Sequence, residues 1–183
     1  EIQLAQKNPA QFRPLYDRYY EPIFRFIHRR TADESLSADI CSEVFYKAMQ
    51  KLERYEFKGV PFSAWLYRIA SNEITQHFRN TQKNRVVSVE TAALPDLMDE
   101  MGRLENDQQE HFRSALIPCL EELRPKDLEI IELRFFEKRP FKEIAAILDI
   151  TESNAKVKTY RILDRLKKKI NTLPVDPPSG ASR

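Results

Sequence analysis

Apolar residues recur along this chain at three- and four-residue spacing with polar residues between them, the period of amphipathic helices. Asn8-Pro9 opens a first helix carrying Phe12, Leu15, Tyr16, Tyr19, Tyr20, Ile23, Phe24 and Ile27, which Pro14 and Pro22 are expected to kink or interrupt. Ser35 or Ser37 is the expected cap of a second helix whose Ile40, Val44, Phe45, Ala48 and Leu52 face inward. A loop from about Arg54 to Val60 holds Tyr55, Phe57, Lys58 and Gly59. Pro61 then opens a third helix, through Asn80, with Phe62, Leu66, Ile69 and Ala70 on its apolar face. These segments predict one helical domain over residues 8–82.

Residues 83–106 lack sustained periodicity, are acidic and turn-prone, and are predicted to be a linker. Helices resume near Asp107 and run to Leu123, from Pro125 to Phe136, from Pro140 to Leu148, and from a Thr151 cap to about Ile170, giving a second domain over 107–170. Residues 171–183, with Pro174, Pro177, Pro178 and Gly180, offer no core residues and are predicted to be a disordered tail. The expected fold is all-α: two small helical domains joined by a flexible acidic linker.

Composition agrees with this pattern. Of 183 residues, 42% are hydrophobic and 32% charged, and only three are Gly, which argues against hairpin-rich β architecture. No apolar run approaches membrane-spanning length, so membrane insertion is not expected, and no signal peptide is visible; a cytoplasmic protein is the expectation. The chain begins at Glu1 rather than Met, which leaves its natural start open. Cys41 and Cys119, far apart, suggest reduced thiols rather than a disulfide framework.

The net charge of +2 says little, but its distribution says more. From Arg54 to Arg85 there are six Lys/Arg against two Asp/Glu; from Thr91 to Phe112, one against six; from Lys138 to Lys169, ten against four. Two basic blocks flank an acidic one. A solvated helix face explains any one block, but not the alternation of three.

The second basic block reads as a helix-turn-helix. Ile144, Ala145 and Leu148 face inward on a short helix, and small Ala145 lets another helix cross closely. Asp149-Ile150-Thr151 forms the turn, and Ala155, Thr159, Ile162, Leu166 and Ile170 share one face of the last helix. The opposite face presents Ser153, Lys156, Val157, Tyr160, Arg161 and Asp164, with Asn154 and Lys158 beside them. Small and polar residues near the N-terminus, then Lys, Tyr and Arg, suit a helix in the major groove. Lys158, Lys167, Lys168 and Lys169 suit phosphates. The alternative is a helical hairpin with a charged outer face.

The first basic block contains a second row. Trp65, Arg68, Asn72, Gln76 and Arg79 share a face of the third helix, distinct from its apolar face. Aromatic rings stack unpaired bases, amides read edges and Arg holds backbone, so this row, with Tyr55 and Phe57 in the preceding loop, suits single-stranded DNA. For Trp65 alone, burial in the core remains the competing explanation.

At these residues the chain resembles the bacterial sigma factors of RNA polymerase, specifically the extracytoplasmic-function group, over about residues 8–170. The resemblance rests on Asp39-Ile-Cys-Ser-Glu-Val-Phe45, on Trp65-Leu-Tyr-Arg-Ile-Ala-Ser-Asn72 after an aromatic loop, on Glu143-Ile-Ala145, and on the Ala155-Lys156 step followed by Arg161. It implies that the helix from Asp39 to Leu52, through Asp39, Ser42, Glu43 and Phe45, docks on the clamp coiled coil of core RNA polymerase. It implies that Tyr55, Phe57, Lys58, Trp65, Arg68, Asn72, Gln76 and Arg79 melt and read the minus-ten element. Ser153, Asn154, Lys156, Val157, Lys158, Tyr160 and Arg161 would read the minus-thirty-five element as duplex. The second domain would also hold the polymerase flap, the acidic linker would resemble nucleic acid in a positively charged channel, and an anti-sigma protein would be the regulator. The chain departs from the family pattern at Ser42 and Gln76. Lys138 and Asp149 stand where the family has Gly, positions where a positive φ is costly for residues other than Gly, Asn or Asp.

A rival of another class is a stand-alone helix-turn-helix regulator with an N-terminal sensor domain, which predicts DNA binding without polymerase. For an enzyme, His28, His77 and His111 are scattered, no cluster has metal-ligand spacing and no Gly-rich phosphate loop is present, so no catalytic residue, metal or cofactor is expected.

Overall fold

The computed structural model describes residues 1–81, 94–102 and 106–173, and these divide into two compact units. The first takes residues 1–81 and 139–152; the second takes 94–102, 106–138 and 153–173. No strand occurs among the described residues. The residues expected to form the tail beyond 173, and most of the expected linker, lie outside them.

In the first unit, α1 (Ile2–Lys7) leads into a 3-10 turn (Pro9–Phe12), where the Asn8 side chain accepts from the Ala10 N–H. Helix α2 (Arg13–Thr31) is continuous, so neither of its prolines interrupts it. Pro14 lies in the first turn, where no intrahelical donor is needed. Pro22 lies inside the helix, and the carbonyl four residues back, at Arg18, belongs to an exposed position where losing a partner costs little. Helix α3 (Glu34–Lys51) is capped by Asp33, whose side chain accepts from the Leu36 N–H at 2.9 Å, and not by Ser35 or Ser37. Ser37 is buried and bonds Thr31 at 2.7 Å and the His28 ring at 3.0 Å, so its hydroxyl serves the α2–α3 corner instead.

A 3-10 turn (Leu52–Arg54) and the aromatic loop connect α3 to α4 (Phe62–Thr81). Helices α2, α3 and α4 pack pairwise around Ile23, Phe26, Ile27, Ile40, Cys41, Val44, Ala48, Leu66 and Ala70. The Phe26 and Tyr67 rings meet edge-on at 4.9 Å, and the buried Arg30 guanidinium lies 3.8 Å from the Phe26 centroid. Lys47 ties α3 to α4 through Glu73 at 2.7 Å. Helix α8 (Phe141–Leu148) packs on α4 within this unit.

In the second unit, α5 (Leu94–Met101) occupies part of the expected linker. Its Leu94, Leu97 and Met101 are buried at i, i+3 and i+7, a stripe too short to stand out among the neighbouring carboxylates. It packs on a π-helical turn (Glu132–Phe136) that follows α7 (Pro125–Ile131). Helices α6 (Asn106–Glu121) and α9 (Glu152–Thr172) complete the unit. Asp127 accepts from Arg165 at 2.7 Å and Arg124 at 3.0 Å. Burial pushes the Asp127 carboxyl up, but the two guanidinium partners together outweigh it and hold the group below its ordinary value.

Each unit holds one buried thiol. Burial pushes Cys41 up to about 12; Cys119 is also raised, chiefly by burial, with Lys169 opposing and Glu122 adding.

Candidate nucleic-acid interface

The first unit carries a cleft of about 510 Å³ between the aromatic loop and α4, with Ala146 of α8 closing one side. Tyr55, Ala64 and Trp65 line it, and Lys51, Arg54, Lys58 and Arg68 surround it, with Glu56 the one carboxylate. The rings are held against each other: Tyr55 to Trp65 at 4.9 Å, Tyr55 to Phe62 at 5.1 Å and Phe62 to Trp65 at 5.3 Å. Trp65 is half-buried. Its ring is therefore neither simply core nor free; it is a braced wall with an open face. Burial pushes the Tyr55 phenol up, with a smaller contribution from Tyr19. The loop turns at Gly59, whose φ of +73 suits glycine.

The structure brings Tyr55, Lys58, Trp65 and Arg68 together at this cleft. Asn72, Gln76 and Arg79 continue the same row as exposed residues further along α4, with Arg79 donating to Gln76 at 3.0 Å. Phe57 stands apart on the loop, 74% exposed, and does not line the cleft. Sequence reasoning missed Lys51, Arg54 and Glu56 as cleft residues. Arg54 was visible in the basic block, but its direction depended on the unforeseen 3-10 turn after α3.

Helix α8 is anchored on α4 by Arg139. Its guanidinium lies 4.5 Å from the Tyr67 centroid and donates to the Tyr67 hydroxyl at 3.2 Å and to Ser63 at 3.3 Å. Arg68 donates to the Ala146 carbonyl at 3.4 Å and pairs with Asp149 at 3.3 Å. Asp149 ends α8 at φ 58, and Lys138 precedes it at φ 51, so both positions where the resemblance implies Gly adopt positive φ. Ile144, Ala145 and Ile147 are buried; Leu148, expected inward, is only half-buried.

In the second unit, α9 buries Ala155, Thr159, Ile162, Leu166 and Ile170 as expected, and Leu163 besides. Ser153, Asn154, Lys156, Val157, Lys158, Tyr160 and Arg161 are all exposed. The Tyr160 hydroxyl donates to Glu100 of α5 at 3.0 Å, and this hydrogen bond pushes its phenol up.

On α3, Asp39, Ser42 and Glu43 share an exposed face that continues to Tyr46 and Met49, both missed from sequence. Glu43 pairs with Lys47 at 3.2 Å. Phe45 does not belong to that face. It is 4% exposed and packs on Phe12, Tyr16 and Tyr20 at 6.4, 4.9 and 6.2 Å, so its apolar ring supports the surface from beneath.

Among the described residues no His, Cys, Asp and Glu group can hold a metal ion, and no helix is long and apolar enough to cross a membrane.

Residues 15–84 match sigma-70 region 2 and residues 119–168 match sigma-70 region 4. The chain is an extracytoplasmic-function RNA polymerase sigma factor. Relatives of this sigma factor include SigD of Mycobacterium tuberculosis, 31% identical over 164 residues covering 86% of this chain and 73% of that one. BldN of Streptomyces coelicolor is 28% identical over 90% of this chain, which spans 62% of BldN's length. SigM of Bacillus subtilis is 26% identical, covering 84% of this chain and 91% of its own. The fold is similar to that of CnrH, solved with the cytosolic domain of CnrY, at a TM-score of 0.63 and 18% identity over 94% of this chain and 96% of that one. It is also similar to RpoE, solved with the anti-sigma factor NepR from Bartonella quintana, at 0.58 and 20% over 90% and 99%. Sigma factors of this family bind core RNA polymerase and promoter DNA and direct transcription initiation.

Proposed function

We propose that this sigma factor captures an unpaired base of the non-template strand in the cleft of the first unit while α9 reads duplex DNA upstream. The cleft carries the reading: braced aromatic rings at its wall and four cationic side chains around it suit a base with its phosphates. Tyr55 and Trp65 stack the base, Asn72 and Gln76 read edges, and Lys58, Arg68 and Arg79 hold backbone. In α9, Lys156, Tyr160 and Arg161 face the minus-thirty-five element, with Ser153, Asn154, Val157 and Lys158 alongside. Asp39, Ser42 and Glu43 on α3 meet the polymerase clamp, and the second unit meets the flap. The protein works by binding rather than catalysis, in the cytoplasm, under an anti-sigma protein, a reading supported by the CnrH and RpoE complexes.

The test is run-off transcription with purified core polymerase on the promoter upstream of the chain's own gene, with 2-aminopurine fluorescence reporting melting. Tyr55→Ala and Asn72→Ala should each slow opening of a closed duplex, and a pre-melted bubble should recover the unstacking cost but not base preference. Opening at the wild-type rate in both variants removes the cleft and its row from the mechanism.

A further inference from the structure

Helix α5 is an amphipathic segment whose two faces meet different chemistry. Leu94, Leu97 and Met101 are buried and hold it to the second unit. Asp96 and Glu100, one turn apart, point to donors instead. Asp96 pairs with Lys138 at 3.2 Å, and Glu100 accepts from the Tyr160 hydroxyl at 3.0 Å. At the C-terminal end of α5, Lys167 of α9 donates to the Met101 carbonyl at 3.0 Å. The apolar stripe alone would be ordinary packing. The polar contacts are not, because Tyr160 and Lys167 belong to the helix that the proposed function assigns to DNA, and an oxygen of α5 occupies each.

We infer that α5 is a tethered competitor of promoter duplex, laying carboxylate and carbonyl oxygens on donors of the second unit that phosphate or base oxygens would otherwise take. The inference rests on the reading of α9 as the duplex-binding helix. It gives the acidic segment a task before polymerase is met: a sigma factor free in solution is kept off DNA by its own chain, and release of α5 withdraws its oxygens from the Tyr160 hydroxyl and the Lys167 ammonium. Exposed ion pairs are individually weak, so the cover is displaceable. A tether supplies it at high effective concentration without further contacts.

The experiment uses the full chain and a fluorescein-labelled 40-base-pair duplex carrying the upstream promoter, read by anisotropy. Asp96→Asn/Glu100→Gln is compared with Asp17→Asn/Glu21→Gln, which removes the same two charges from α2. The first double variant should bind duplex about threefold or more tighter than the second, the scale of two weak surface contacts. Amide exchange over residues 94–101 of the wild-type chain should quicken when duplex is saturating. Equal gains in both double variants would reduce the effect to net charge and overturn the inference, as would unchanged exchange in α5 at saturation. If no version binds duplex even with core polymerase present, the assignment of α9 fails and takes this inference with it. If duplex binds every version equally, the assignment stands and the competition alone is lost.

Discussion

The Gln6 side chain donates to two backbone carbonyls at once, Leu52 at 3.0 Å and Tyr55 at 2.9 Å. A residue of α1, remote in sequence from every proposed DNA contact, thus fixes the start of the aromatic loop. Gln6→Ala should cost about 1–2 kcal/mol of local stability and slow promoter opening without changing base preference. Hydrogen exchange across residues 52–58, beside 2-aminopurine kinetics, checks both halves; normal opening with a loosened loop would separate the loop's order from its task.

Trp65 is braced by Tyr55 and Phe62, so removing it acts on the cleft and on the packing together. Trp65→Phe should keep the wall and retain most activity. Trp65→Ala should lose about 1–3 kcal/mol of base stacking and destabilise the first unit as well. Thermal unfolding measured beside promoter opening distinguishes the two losses.

Arg161 is exposed on α9 with no part in the buried face. Arg161→Ala should lose about 1–3 kcal/mol at one base position of the duplex element if it reads an edge. Binding to specific and scrambled duplexes by the holoenzyme is the measurement, and equal loss on both makes it a phosphate contact.

Ala32 ends α2 at φ 50, a left-handed conformation with no polar side chain to favour it. Relief of about 1–2 kcal/mol of strain outweighs about 0.4–1 kcal/mol of added unfolded-chain entropy. Ala32→Gly should therefore stabilise the protein by up to about 1 kcal/mol. Asp149→Gly, at φ 58, should gain less, because Asp tolerates the region and its pair with Arg68 is lost. Chemical denaturation ranks the two.

Asp127, held below its ordinary pKa by Arg165 and Arg124, contributes stability present at neutral pH and lost as pH falls through its lowered folded-state value. Asp127→Asn should cost about 1–2 kcal/mol near pH 7, discounted because both Arg partners are exposed. The difference between wild type and variant should shrink below about pH 4. A gap that stays constant down to pH 2 would show that shape, not charge, sets the effect.

Helices with a long apolar period were legible in the sequence, because Val44, Leu66 or Ile162 can be buried in only one way at that spacing. The polar row on α4, proposed to meet DNA, was legible as a row for the same reason: Trp65 and Arg68 lie off the apolar stripe. What escaped was decided by contacts distant in sequence. Asp33 won the cap because Ser37 was claimed by Thr31 and His28. Phe45 lies inward, as its place in the apolar period required and against its implied place on the polymerase face, with Tyr16 and Tyr20 packed on it. Helix α5 was hidden because three buried residues supply too little pattern against so many carboxylates.

The two cysteines mark a last consequence. Cys41 and Cys119 are buried, one in each unit, and burial keeps both as neutral thiols. Neither is the exposed, low-pKa kind of thiol that oxidants attack first. The same seclusion makes each thiol a clock. Alkylation waits for its own unit to open, and the two labelling rates under native conditions would time the breathing of each half of the protein without a single substitution.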